Sequence, residues 1–229
     1  MAVVVLLIAT LAGLRQLARS RTVQLFGSIV PRVETTERRV ALTFDDGPGA
    51  AVVDSLVALL ASRGVRATFF VTGSELATAP DAGSRLVAGG HELGNHTYHH
   101  ERMVLRSPRF VRTEIERTDS LIRATGHGGP IYFRPPFGYK LLVLPWYLAR
   151  TGRTTVTWDV EPDSYPEVAA TSEGIVRHVL ERVRPGSIIL LHVWYPSRRT
   201  SLGAVGPLID SLRARGFQVG AVRDLLGES

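Results

Sequence analysis

The chain has no cysteine in its 229 residues. That excludes disulfides and thiolate metal sites together, so any bound metal must be held by histidine and carboxylate side chains, while the compartment stays open. Lysine and asparagine are nearly absent: Lys140 is the one lysine among 27 basic residues, and Asn95 is the one asparagine. This skew towards arginine reads as codon usage rather than selection for phosphate contacts. The arginines are scattered and not gathered into a stripe with interleaved aromatics, so no nucleic-acid partner is expected. The formal charge of +6 suits an anionic envelope or membrane surface. Low-complexity tracts, internal repeats and a second-domain linker are missing too, and a chain of this length with 45% hydrophobic residues supports one domain with a sizeable core. Nothing in the sequence specifies an oligomeric state.

What is present begins with the apolar run "MAVVVLLIATLAGL", residues 1–14, followed by Arg15, Arg19 and Arg21. A run of that length suits a signal-peptide core better than a membrane span, which takes about 20 residues. No basic residue precedes it and no clean small-x-small cleavage site follows it. The arginines also lie on the flank opposite to that of an anchor with an exported globular part. Residues 1–21 are expected to be a signal or membrane anchor, placing the protein in the cell envelope, membrane-anchored or secreted. The competing expectation is a buried or amphipathic helix of a cytoplasmic protein. Residues 22–36 read as a connector and residues 37–226 as the functional domain.

From Val40 onward, short β-rich runs alternate with longer helical patterns. The strands are expected at 40–44, 66–71, 91–95, 131–133, 154–158, 187–192 and 217–222. Helical spacing of apolar residues marks 50–63, 108–125, 168–183 and 204–215. Such alternation predicts an α/β fold of parallel strands wrapped by helices, either a barrel or an open doubly wound sheet. Ligand sites in these folds gather at the C-terminal strand ends. Asp45 and Asp46, His96 to His100, Arg134, Asp159 to Asp163 and His192 all fall there.

"ALTFDDGP", residues 41–48, sets two adjacent carboxylates at the end of an apolar strand, where their repulsion calls for a cation. A solvated turn with Asp capping the next helix is the plainer reading. "NHTYHH" supplies His96 and His100 at i, i+4, which share a face if this turn is helical, and His99 could replace His100. Either Asp would complete a two-His, one-carboxylate set for one divalent ion. One carboxylate then holds the ion and the other takes a proton from the attacking water. His192, ending "SIILLH", could protonate a leaving group, and Arg134 in "FRPPFG" could hold the base carboxylate ionised.

Together "TFDDGP", "HTYHH", "FRPPFG" and "SIILLH", in this order and spacing, resemble the polysaccharide deacetylases with a NodB-homology domain, carbohydrate esterase family 4, over residues 37–226. The resemblance implies a distorted (β/α)7 barrel and metal-dependent removal of acyl groups, usually N-acetyl, from sugars. An acylated cell-envelope glycan such as peptidoglycan or chitin-like oligomers is the implied substrate, and Zn the implied ion, with Co or Mn as substitutes. Position by position it implies Asp45 as base, Asp46, His96 and His100 as metal ligands, and Arg134 as partner of the base. The backbone N–H of Phe137 matches the oxyanion donor and His192 the general acid. Phe137 stands where many members carry Tyr, which matters little for a main-chain donor.

The departure lies in "WDVEPDSYP", residues 158–166. Family members typically carry Asp followed by Trp here, the Asp orienting the catalytic His. Asp163 is expected in that role, with Asp159 and Glu161 as competitors and Asp159 also readable as a structural strand-end residue. Tyr165 is expected to replace the aromatic groove wall, and Trp194 and Tyr195 to form a substrate rim. Trp146 and Trp158 are expected in the core, His91 at a strand end, His127 in a loop, His178 on a helix surface, and Lys140 in solvent or facing an anionic substrate group. Rival functions are deacylation of a lipid-linked amino sugar, O-acetyl xylan esterase activity, non-haem iron oxygenation, and glycan binding without catalysis.

Overall fold

The computed structural model describes residues 1–227. It begins with α1 (Ala2–Arg19), β1 (Ile29–Val30), β2 (Arg39–Asp45), α2 (Ala50–Ser62), β3 (Thr68–Val71), α3 (Gly73–Thr78), α4 (Pro80–Ala88), β4 (Glu92–Asn95) and α5 (Pro108–Ala124). It continues with α6 (Val143–Arg150), β5 (Thr155–Val156), α7 (Pro166–Ala169), α8 (Ser172–Arg182), β6 (Ile188–Leu191), α9 (Arg199–Ala214), β7 (Gln218–Gly220) and α10 (Val222–Leu226).

Five strands form a parallel sheet in the order β4-β3-β2-β6, with β7 pairing β2. β2 is central: it pairs with β7 from Arg39 to Ala41 and with β3 from Thr43 to Asp45. Between β4 and β6 the ring is spanned by single bridges, Asn95 to Phe133, Phe133 to Thr155 and Val160 to Ile189, and not by a continuous ladder. The expected strand at 131–133 is reduced to the bridge at Phe133 because Pro130, Pro135 and Pro136 flank it and cannot donate to a ladder. The expected connector is part of the sheet system, since β1 runs parallel to β5 with Ile29 opposite Thr155. The helical pattern at 168–183 divides into α7 and α8, because the Thr171 side chain accepts the Gly174 N–H at 2.9 Å and starts a new helix.

Alternation along the strands sorts the apolar residues into two layers. Leu42, Phe44, Phe69, Leu93, Ile189 and Leu191 pack outward against the helices. Ala41, Phe70, Tyr132, Val156, Ile188 and Leu190 point into the ring. Both faces of the strands are therefore buried, as parallel strands under crossover helices require. Each large apolar side chain so buried contributes about 1.5–3 kcal/mol relative to exposure.

α1 projects from this body. Its residues are exposed from Met1 to Gln16, which overturns the buried-helix expectation, and its length and mean hydropathy of 1.6 are those of a helix able to cross a membrane. Its end is nevertheless built into the domain. Lys140 N–H donates to Ala18 O at 2.9 Å, Lys140 Nζ donates to Ser20 O, and Thr157 Oγ1 donates to Arg21 O at 2.6 Å. Lys140 is thus buried and not solvated as expected, and burial pulls its pKa down to about 8.

Candidate active site

Strand alternation aims the site. On β2 the inward positions Ala41 and Thr43 are followed by Asp45; on β6 the inward Ile188 and Leu190 are followed by His192. The same parity carries Gly94 to His96 and Tyr132 to Arg134. Asp46 then adopts a left-handed backbone (φ 68°), as does Gly47 (φ 68°), which turns the chain sharply after the strand. Only glycine fits at 47, because a Cβ there would lie 2.5 Å from the Trp194 indole. Glu75 Oε2 pins the turn by accepting the Gly47 N–H at 2.8 Å and the Thr72 hydroxyl at 2.7 Å.

His96 and His100 do not meet on a helix, as their spacing suggested. They are carried by a loop with left-handed residues at Thr97 (φ 67°) and His100 (φ 57°), and their rings lie 4.9 Å apart. Two residues outside the expected set hold this loop. Asn95 Oδ1 accepts the Thr97 N–H at 2.8 Å, while its amide donates to Ile115 O and Asp119 Oδ1. Buried Glu114, from α5, accepts the Tyr98 and His99 N–H groups at 3.0 and 2.8 Å on one oxygen, and pairs with His99 Nδ1 at 2.6 Å on the other. His99 is therefore turned away from the site and does not compete with His100.

The ligand atoms of Asp46, His96 and His100 lie within 4.8 Å of one another. His100 Nε2 is 3.4 Å and His96 Nε2 4.0 Å from Asp46 Oδ1, and His96 Nε2 is 3.6 Å from Asp45 Oδ2. The His96 tautomer is fixed chemically. Nδ1 lies 2.7 Å from Arg134 O, a carbonyl that can only accept, so Nδ1 carries the proton. Burial, then the charge of His100, holds the His96 pKa well below its ordinary value, so the ring is neutral and the Nε2 lone pair faces the two carboxylates. Lone pairs converging without a proton between them are what a divalent cation requires, and two histidines with one carboxylate fit zinc and its neighbours.

Beside this set, Asp45 is buried at 2% exposure and pairs with Arg134, itself fully buried, at 2.6 Å. Arg134 is fixed by Thr43 Oγ1 at 2.9 Å, Thr157 O at 2.9 Å and Val156 O at 3.2 Å, with its guanidinium 3.9 Å from the Phe70 ring centroid. Burial pushes the Asp45 carboxyl up to about 6, against the opposing charges of Arg134 and His192. Opposite, His192 Nδ1 lies 3.1 Å from Asp163 Oδ1. Burial would lower the His192 pKa, but the hydrogen bond and charge of Asp163, with Asp45 and Asp46, carry it up to about 9. Phe137 sits in the turn Pro136–Gly138 with φ 56°. The turn bonds are made by Gly138 and Tyr139 N–H, which leaves the Phe137 N–H out of both.

Comparison with known proteins gives this constellation a family. The family model described as polysaccharide deacetylase matches residues 32–156. The chain belongs to the polysaccharide deacetylase family. A chitooligosaccharide deacetylase from Bradyrhizobium sp. (strain ANU 289) is 34% identical over 194 residues, covering 80% of this chain and 88% of that protein. A peptidoglycan-N-acetylglucosamine deacetylase from Bacillus cereus is 28% identical over 211 residues, covering 87% and 93%. Among solved structures, a family 4 carbohydrate esterase from Streptomyces lividans in complex with acetate superposes with a TM-score of 0.72 at 33% identity, covering 81% of this chain and 93% of that one. The protein is accordingly a hydrolase of amide bonds on the (β/α) scaffold of the NodB type.

The deacetylase groove is a cavity of about 450 Å³. Its wall includes Arg19, Tyr139 and Trp158, which were not expected there, together with Glu161 and Arg198. Trp158 is buried as expected yet faces the groove, its Nε1 donating to Glu161 Oε2 at 2.7 Å. Glu161 also accepts the Ser164 hydroxyl, so it is committed to the wall and not to His192. Asp159 takes the structural alternative, accepting from Ser187 Oγ and Ile188 N at 2.9 Å each.

The aromatic expectations fared less well. Trp194 is not at the rim: at 4% exposure it packs over Gly47 and Phe69, because the left-handed turn at Gly47 leaves room for an indole beneath it. Trp146 is exposed, stacked with Arg150, and not in the core. Tyr195 is exposed with its hydroxyl donating to Glu75, and Tyr165 stacks on His178 outside the groove. The one signal for Asn95 was its solitude: the single asparagine of the chain stands directly before "HTYHH".

Proposed function

We propose that this polysaccharide deacetylase hydrolyses the N-acetyl group of N-acetylglucosamine units in a cell-envelope glycan of the peptidoglycan or chitooligosaccharide type. The observation that carries this reading is the convergence of Asp46 Oδ1, His96 Nε2 and His100 Nε2 between an Arg134-paired carboxylate and an Asp163-paired imidazole. Relatives named for both glycans support it.

Asp46, His96 and His100 would hold the ion, zinc by donor chemistry with cobalt or manganese as substitutes. When bound, such an ion polarises the acyl carbonyl and makes water more acidic. Asp45, kept oriented by Arg134, takes the proton of the water that adds to the carbonyl carbon. The Phe137 N–H donates to the oxyanion that develops on the acetyl oxygen, an effect worth about 3 kcal/mol for one donor. His192, protonated against Asp163, gives its proton to the amine nitrogen as the C–N bond breaks and acetate leaves. Phe137, Tyr139 and Trp158 are the aromatic side chains that line the groove for the sugar. The catalytic domain is drawn at residues 37–226 with β1 added to its sheet, and α1 is read as a targeting or anchoring helix.

The test is acetate release from peptidoglycan and from N-acetyl chitooligosaccharides by metal-loaded protein, with and without a chelator. Release that stops on chelation and returns with zinc is expected. Binding of oligosaccharide without acetate release would convert the reading to a glycan-binding protein.

A further inference from the structure

The foot of α1 is part of the catalytic groove. Arg19, its last residue, lines the same cavity as Asp45, Asp46, His96, His100 and His192. Its guanidinium lies 5.7 Å from the centroid of the Tyr139 ring, and Arg102 lies 5.2 Å from the same centroid. Among the described residues, neither arginine meets a carboxylate within 4.0 Å. Arg19 on the groove wall and Arg102 against the same Tyr139 ring, Arg102 lying also 5.4 Å from the centroid of the groove-lining Phe137, offer two unpaired guanidiniums to an anion with hydrogen-bond acceptors, and phosphate matches that chemistry.

This foot is not a free linker. Three carbonyls around it, those of Ala18, Ser20 and Arg21, are taken by Lys140 N, Lys140 Nζ and Thr157 Oγ1. Severing the chain here would strip the acceptor from a buried ammonium, an expensive state to maintain. Above the foot, the apolar stretch of α1 from Ala2 to Leu14 runs about 20 Å, enough to reach well into a hydrocarbon layer about 30 Å thick. That stretch is apolar and exposed on all sides, and Arg15, Arg19 and Arg21 cluster below it, where lipid phosphates would lie. Of the available partners, a bilayer matches both the all-round apolar surface and the basic collar.

We propose that α1 is a retained membrane anchor that holds the catalytic groove against the bilayer surface, and that the substrate is an N-acylated amino sugar carried on a lipid phosphate, the phosphate being received by Arg19 and Arg102. A groove whose wall includes the foot of the anchor opens at headgroup height, where the sugar of such a lipid lies. This inference rests on the deacetylase reading above.

The experiment uses the full chain, zinc-loaded, with phosphatidylcholine vesicles. Three substrates are compared: an N-acetylglucosaminyl lipid phosphate in the vesicles, the same sugar on a neutral diacylglycerol in the vesicles, and a soluble N-acetyl chitooligosaccharide. The chain is expected to float with the vesicles at high salt, and kcat/KM for the lipid phosphate is expected to exceed each of the others at least tenfold. Arg19→Gln and Arg102→Gln should each shrink that preference about tenfold, through KM more than kcat, with Arg19→Lys retaining most of it. Replacing exposed Leu7 and Leu11 by Arg should abolish flotation and preference together. Equal or better hydrolysis of the soluble oligosaccharide, equal use of the neutral glycolipid, or a preference that survives both glutamine substitutions would overturn the proposal while leaving the deacetylase reading intact. No acetate from any of the three would overturn both.

Discussion

Asp163 grips His192 at two points: its Oδ1 lies 3.1 Å from the imidazole Nδ1, and its Oδ2 accepts the His192 backbone N–H at 2.7 Å. Ser201 donates to the same Oδ2 at 3.0 Å, so the carboxylate cannot rotate away without losing two bonds. Burial alone would raise the Asp163 pKa, but the hydrogen bond and charge of His192 prevail and hold it below its ordinary value. Removing the negative charge should lower the His192 pKa from about 9. Asp163→Asn is expected to move the alkaline limb of the kcat profile to lower pH while leaving metal content unchanged, with Asp159→Asn and Glu161→Gln as controls that do not shift it. An unshifted limb in Asp163→Asn would show that His192 does not act as the acid.

The same pair makes a stability prediction. The folded-state pKa of His192 lies above its ordinary 6.5, so its protonation favours the native state fully below pH 6.5. That contribution is lost as pH rises from 6.5 through about 9. Urea unfolding of the wild type should show a fall in stability across this window that is diminished in His192→Gln.

Within the carboxylate pair, loss of the ligand and loss of the base should separate. Asp46→Ala, His96→Ala or His100→Ala should lower bound zinc measured by elemental analysis. Asp45→Asn should keep the metal and reduce turnover by roughly 10²–10⁴-fold, the range for a removed general base. Wild-type turnover in Asp45→Asn would refute its assignment.

Glu114 touches no ligand atom, yet it anchors the loop that presents His96 and His100. Its replacement by Ala would free two backbone N–H groups and the imidazole of His99. Zinc affinity, measured by competition with a chromogenic chelator, should drop by about 10–100-fold, as for other outer-shell supports. An unchanged affinity would mean that Asn95 and Thr97 hold the loop unaided.

Gly47→Ala should destabilise the fold by about 2 kcal/mol or more, since it combines a left-handed backbone with overpacking against Trp194. The midpoint of urea denaturation checks this. A neutral effect would show that the indole can move aside.

Much of this site was legible before any fold was known. "TFDDGP", "HTYHH", "FRPPFG" and "SIILLH" place reactive side chains just after apolar strands, and chemistry at strand ends is a property of the local pattern. Trp194 and Trp146 went the other way, one inward and one outward, because an aromatic beside a polar motif carries no signal of which face it takes. Asn95 and Glu114 could not be paired from sequence either, since the loop they share is closed by bonds across 15 to 24 residues.

The sequence by itself determined the identity of the donors, their order, and the parity that sends Asp45, His96, Arg134 and His192 to one side of their strands, because side-chain direction alternates with each residue. Only the tertiary structure decided which carboxylate serves which partner. Asp163 rather than Asp159 or Glu161 reaches His192, because the loop after β5 folds back over β6 and spends the other two on Ser187 and Trp158. It likewise decided that Lys140 and Arg19 join the apolar N-terminal helix to the groove, a relation between residues about 120 positions apart that no local pattern encodes.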